Sequence, residues 1–164
     1  AFAMLGVDVV SADVWTSADG IAVDTFRIPL ASMARIEPAK LDKELRAVVT
    51  GSVDIGGRIA QRIRTYSRYH RRAVAAALPR FDVLISNDAS ATTTMIDVRA
   101  PDDIAVLYRL ASCLTDLHLD IRSAKVATLG HEVVDVFYVQ RRGQVPTAEH
   151  DSIRAALTVA LTKT

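Results

Sequence analysis

The 164 residues carry 20 Lys and Arg against 19 Asp and Glu, so the net charge of +1 gives no global pull toward nucleic acid. Half of the residues are apolar, enough for one ordinary core or two small ones. No apolar run approaches the ~20 residues that a membrane span needs, and nothing resembles a signal peptide.

In chain order, residues 1–6 (AFAMLG) read as the end of a helix closed by Gly6. Two Val- and Ile-rich runs between residues 7 and 28 flank Ser17-Ala18-Asp19-Gly20, which predicts a β-hairpin. Along the first run the apolar parity switches from Val7 and Val9 to Ala12 and Val14, so a bulge or a loop-to-strand change is expected near Ser11. After a connector, Pro38 opens a helix with Leu41, Leu45 and Val48 inward, ending at Thr50-Gly51. Ser52 then caps a helix with Ile55, Ile59, Ile63 and Tyr66 at three- and four-residue spacing, weakened by Gly56 and Gly57 at about 1 kcal/mol each relative to Ala. It continues from Thr65 to Leu78, and Pro79 stops it. Arg58, Arg62, Arg64, Arg68, Arg71, Arg72 and Arg80 mark this middle, with Tyr66, Tyr69 and His70 between them. They fall on several helix faces rather than in one stripe, which reads as a solvated linker and not as a nucleic-acid surface.

Residues 81–86 and 91–100 are β-prone, joined by the turn Asn87-Asp88-Ala89-Ser90, with Thr94, Ile96 and Val98 on one face. Pro101 and Asp102 open a helix whose stripe is Ile104, Leu107, Ala111, Leu114 and Leu117. Cys113, the only cysteine, lies on it beside Leu114 and reads as a buried, unreactive thiol suited to a reducing cytoplasm. A second hairpin spans residues 119–139 around Leu129-Gly130-His131-Glu132, with the same parity switch near Ser123. Pro146 and Thr147 start the last helix, Thr147 as N-cap, Glu149 and Asp151 in the first turn, and Ile153, Leu157, Ala160 and Leu161 inward. The order β-α-β-β-α is a split βαβ, ferredoxin-like unit without its last strand. Residues 81–86, arriving by a hairpin, fill that edge.

The two hairpins are copies. Asp8, Ser11, Ala12, Val14 and Thr16 match Asp120, Ser123, Ala124, Val126 and Thr128 at a constant offset of 112 residues, and Val23, Asp24, Phe26 and Ile28 match Val134, Asp135, Phe137 and Val139 at 111. Such self-similarity means two copies of one small domain. The first copy lacks its opening strand and most of its first helix, so the chain is expected to be a fragment of a longer protein. The division expected is 1–51, 52–80 as an Arg-rich helical linker, and 81–164.

Catalytic constellations are thin. His70, His118, His131 and His150 show no metal-ligand spacing. His150-Asp151 lacks the further His and Asp residues of a metal-dependent phosphohydrolase and suits a helix start. There is no phosphate-cradling Gly-rich loop and no Gly-x-Ser-x-Gly elbow. Asp24 and Asp135 read as two copies of one structural position, not as a catalytic pair.

The stretches SNDASATTTMIDVRAPD (86–102), RSAKVATLGHEVVDVFYV (122–139) and IRAAL (153–157) resemble the ACT domain, an amino-acid-sensing module. They are closer still to the C-terminal tandem ACT region of the bifunctional PII uridylyltransferase/uridylyl-removing enzymes. Ser11-Ala12 and residues 22–26 resemble the end of the first ACT domain. The resemblance implies an α+β fold of two ferredoxin-like βαββαβ units, the first incomplete, joined by a helical linker. It implies glutamine as effector, the PII protein as partner through the parent enzyme, and ACT–ACT pairing within or between chains. Catalytic residues and a divalent metal (Mg2+) would lie in upstream domains, with no cofactor and no catalytic residue in this chain.

The resemblance places the effector at Asp102, Asp103, Ile104, Ala105, Val106 and Leu107, against the first hairpin strand of a neighbouring copy. A helix N-terminus there offers N–H groups to a ligand carboxylate. The family pattern in this loop is Asp-Arg-Pro-Gly-Leu-Leu, so Arg, Pro and Gly are replaced. Ala105 adds a methyl group and Asp103 a negative charge, which implies weakened or lost glutamine binding. The sheet-pairing residues expected are Asp8, Ser11, Ala12 and Val14 with Asp120, Ser123, Ala124 and Val126. Three rival readings are a non-binding assembly module built on those edges, a stand-alone ACT-type protein for another small metabolite, and nucleic-acid binding by the Arg-rich segment.

Overall fold

The computed structural model describes residues 1–34, 36–70, 81–103 and 105–162. They divide into two compact units: Val10–Arg27 with Pro79–Thr164, and Ala1–Val9 with Ile28–Leu78.

In the larger unit the alternating Val- and Ile-rich runs form strands, as period-2 patterning demands. The first hairpin is β1 (Ser11–Thr16) and β2 (Ala22–Arg27). β3 (Asp82–Ser86) and β4 (Thr94–Pro101) form a second pair, followed by helix α1 (Val106–Asp116). β5 (Asp120–Leu129) and β6 (Glu132–Gln140) form the second copy of the hairpin. A 3₁₀ turn (Thr147–Glu149) leads into helix α2 (His150–Thr162). Among the described residues these six strands join one antiparallel sheet in the order β2-β1-β5-β6-β4-β3. The α+β, ferredoxin-like arrangement expected from the sequence is present. β3 lies antiparallel beside β4, at the edge where a ferredoxin-like unit carries its last strand.

One sheet face carries the core. Ile96, Val98 and Ala100 of β4 and Val133, Phe137 and Val139 of β6 pack with Leu110 and Leu114 of α1 and with Ile153, Leu157 and Leu161 of α2. The buried stripe of α1 is Val106, Leu110 and Leu114, while Leu107, Cys113 and Leu117 are half-buried. This corrects the expected stripe, because the helix starts at Val106 and not at Pro101: Pro101 still pairs with Glu132 in the sheet. Ile104 lies outside the described residues. Pro146 precedes the last helical stretch, and Thr147 makes no side-chain cap bond.

The shared parity switch is resolved differently in each copy. In the second it is a bulge, a register shift between Ile121 and Ser123 that leaves Arg122 unmatched. In the first, the strand simply begins at Ser11. The bulged Arg122 donates to the carbonyls of Thr16 (3.1 Å) and Ser17 (3.2 Å), fastening the two copies together at the end of β1. The loop before β4 is fastened by a buried network. Thr94 donates to Asn87 Oδ1 (2.6 Å) and accepts from the Val145 N–H (2.8 Å), while Asn87 Nδ2 donates to the Val145 carbonyl (3.0 Å).

The smaller unit is helical: α3 (Phe2–Leu5), α4 (Leu30–Met33), α5 (Pro38–Val49) and α6 (Ile55–His70). Gly6 closes α3 with φ 73°, a left-handed conformation that glycine adopts without strain. Arg58 makes a two-pronged pair with Glu44 (2.7 and 3.0 Å), which joins α6 to α5. Asp54, not Ser52, caps α6 by accepting from the Gly57 N–H at 2.9 Å. Ile59 is buried, whereas Leu41 and Val48 are half-buried and Leu45 is exposed. The expected continuation to Leu78 and the stop at Pro79 lie outside the described residues, as do Arg71, Arg72 and Arg80.

Candidate functional site

The turn from β4 into α1 is held by backbone geometry. The Asp102 N–H donates to the His131 carbonyl (2.8 Å), tying the loop to the turn of the second hairpin. Val106 N–H reaches the Asp103 carbonyl at 3.3 Å. Ala105 adopts the left-handed region, φ 64° and ψ 23°, immediately before the helix. An L-residue there costs roughly 1–2 kcal/mol. The glycine of the resembled pattern falls at this position, and the conformation glycine favours is kept without it. Asp102 and Asp103 are exposed, Val106 is buried and Leu107 is half-buried.

Asp103 is not an uncompensated charge. Its Oδ2 lies 3.1 Å from Nη2 of Arg109, one turn into α1, whose side chain is only 12% exposed. Asp102, Asp103 and Arg109 line a cleft of about 320 Å3 together with Phe81, Pro101 and Leu161.

Behind the loop lies Asp135, in the middle of β6 and on the core face. It is opposite Val98 on β4 and Val126 on β5. It is 1% exposed. The Ala127 N–H hydrogen-bonds to the carboxyl, but Oδ1 has no hydrogen-bond partner. Burial pushes its pKa up to about 7, the Ala127 bond opposes this, and the charge of Asp102 adds to the rise.

The hairpin residues form a seam. Along β1 and β5, Ala12 faces Val126, Val14 faces Ala124, Ser11 faces Ala127 and Ser123 faces Trp15. Asp13 faces Lys125, and these two are equivalent positions of the repeat. The seam therefore has a local two-fold relation, in which each copy presents the same strand to the other. Asp8 precedes β1, and Asp120 pairs with Gln140, so neither belongs to this ladder. Among the described residues no group of three or more His, Cys, Asp or Glu could hold a metal ion, and no helix is long and apolar enough to cross a membrane.

Over its whole length the chain is 34% identical to a protein of Rhodospirillum rubrum described as a bifunctional uridylyltransferase/uridylyl-removing enzyme. Proteins of the same description from Azospirillum brasilense and Streptomyces coelicolor are 35% and 38% identical over 85% and 67% of the chain. The chain belongs to this family. It spans 18%, 15% and 13% of the length of these three uridylyltransferase/uridylyl-removing relatives. No family profile matches it, and no solved structure does.

Within this chain, the structure adds three residues to those suggested by the sequence. Arg109 is half hidden in an apolar helix pattern and carried no signal of its own. Arg122 is marked only by the parity switch beside it. Asp135 had a readable signal: it takes the core parity of β6, between Val133 and Phe137, where an apolar residue belongs.

Proposed function

We propose that this chain is the amino-acid-sensing, regulatory part of a bifunctional PII uridylyltransferase/uridylyl-removing enzyme, with glutamine as effector. The observation that carries this reading is the turn at Ala105. The left-handed entry to α1 persists although glycine, arginine and proline of the resembled pattern are gone. Arg109 neutralises Asp103, so the extra acid does not leave a bare negative charge where a ligand carboxylate would approach. Through Asp102, the loop is tied to the turn that ends β5, the strand of the seam. Glutamine would bind at residues 102–107, beside the other copy of the hairpin, and bias the whole enzyme between nucleotidyl transfer and removal. Such a bias requires unequal affinity for the two states. Catalysis, Mg2+ and recognition of the PII protein belong to parts of the family outside this chain, in a cytoplasmic enzyme.

The test is denaturant unfolding with and without L-glutamine. Ligand at a hundred times its dissociation constant adds about 2.7 kcal/mol to a fold that binds it. Absence of any shift at millimolar glutamine contradicts sensing. It would favour a second reading, an assembly module, which the two-fold seam of β1 and β5 supports by itself.

A further inference from the structure

We infer that Asp103 is a built-in stand-in for the effector: its carboxylate holds the Arg109 guanidinium until the α-carboxylate of the amino acid takes its place. This rests on the sensing role proposed above. The Arg109 side chain is only 12% exposed, and its Nη2 lies 3.1 Å from Asp103 Oδ2. A guanidinium so far out of water is costly without an anion beside it, so the position calls for a carboxylate at all times. Asp103 can yield to another, because its own side chain is 46% exposed and loses little on turning into solvent. Both residues line the same cleft of about 320 Å3, at the lower end of the ~300–1,000 Å3 of small-molecule sites.

The exchange leaves the loop backbone where it is. The Asp102 N–H stays on the His131 carbonyl and the Asp103 carbonyl on the Val106 N–H. Only the Asp103 side chain turns, a rotamer change that exposed residues make in picoseconds to nanoseconds. The cleft then matches an α-amino acid rather than a simple acid. The ammonium and carboxylate of such a ligand share one carbon, and the cleft carries an anion, Asp102, and a cation, Arg109, in one lining. Phe81, Val106 and Leu161 add apolar wall for the methylene groups of the ligand side chain. A guanidinium takes a carboxylate through two parallel N–H bonds, which an α-amide cannot accept in the same way. Arg109 therefore selects for the free α-carboxylate, and Asp103 sets how much ligand is needed to win it.

The test is calorimetric titration of the full chain, of Asp103→Asn and of Arg109→Gln with L-glutamine and with L-glutaminamide, in which an amide replaces the α-carboxylate. The unsubstituted chain should bind glutamine about tenfold or more tightly than glutaminamide. Asp103→Asn removes the competitor and should tighten glutamine by about threefold or more without tightening glutaminamide. Arg109→Gln should abolish the preference for glutamine. Equal measurable affinity of the unsubstituted chain for both ligands, or an Asp103→Asn variant that binds glutamine no more tightly than the unsubstituted chain, overturns the inference while sensing stands. Should Arg109→Gln fail to fold, these two readouts still decide the matter, because Asp103 is exposed. Glutamine binding seen only in Asp103→Asn supports the stand-in. If none of the three proteins binds glutamine, sensing and this inference fall together.

Discussion

Replacing Asp135 by Asn should stabilise the chain above pH 7 and lose that advantage near pH 5. Folding raises the carboxyl pKa from 3.8 to about 7. A pKa raised in the folded state means that the native protein holds a proton which the unfolded chain has released. Stability is therefore full below pH 3.8, falls as pH rises, and reaches its lowest contribution above pH 7. At ~1.4 kcal/mol per pKa unit, the ionised carboxylate costs the fold about 4 kcal/mol at pH 8. This is an upper figure, because loop opening would let water in. Asn keeps an acceptor for the Ala127 N–H but brings an amide that lacks a partner, at about 1–3 kcal/mol. The net gain at pH 8 is then about 1–3 kcal/mol, whereas at pH 5 the carboxylate costs only about 1.6 kcal/mol and the variant falls between about 1.4 kcal/mol less stable and about 0.6 kcal/mol more stable. Urea unfolding of both proteins at pH 5, 6, 7 and 8 measures the difference, which cancels the other carboxylates. It should rise by roughly 1 kcal/mol per pH unit up to pH 7. A difference that stays constant across that range would show that Asp135 does not titrate there.

Three further outcomes follow from the coordinates. Ala105→Gly relieves the left-handed backbone, and after the extra freedom glycine gives the unfolded chain it should add roughly 0.5–1 kcal/mol in urea unfolding; a loss of stability would mean that the turn is not left-handed. Thr94→Val leaves Asn87 Oδ1 and the buried Val145 N–H without their partner, and should cost about 2–4 kcal/mol in the same assay; a change under about 0.5 kcal/mol would remove the network from the account. Asp13→Cys with Lys125→Cys, in a Cys113→Ser background, should oxidise to a disulfide within one chain, because the two positions lie directly opposite on β1 and β5. Non-reducing electrophoresis and thiol counting that find only thiols, or only disulfide-linked dimers, would place the seam between chains.

Much of this fold is written in short-range pattern. Period-2 runs announce both hairpins, and a parity switch repeated near Ser11 and Ser123 announces an irregularity that the structure resolves as a strand start in one copy and a bulge in the other. Helix starts were harder to read. Pro101 and Asp102 look like a helix opening, yet Pro101 completes the ladder with Glu132, and the chain needs Ala105 in a left-handed turn before α1 begins. The cap of α6 moved from Ser52 to Asp54 because two candidate caps lie within three residues and tertiary packing chooses between them. Site chemistry was least legible. The closeness of Arg109 to Asp103 depends on the left-handed turn at Ala105 just before α1, in a loop where the family pattern is replaced. Asp135 looked like one of two repeated positions; its core parity on β6 was legible, but its burial is what separates it from the exposed Asp24.

The most direct measurement is a backbone amide NMR titration of the isotope-labelled chain with L-glutamine. The account predicts saturable shifts at Asp102, Asp103, Ala105, Val106 and Leu107 and across the strand at Ser11 and Ala12. Shifts confined to the groove of Tyr108, Ser112 and Val159 between α1 and α2, or none at saturating millimolar ligand, would contradict it.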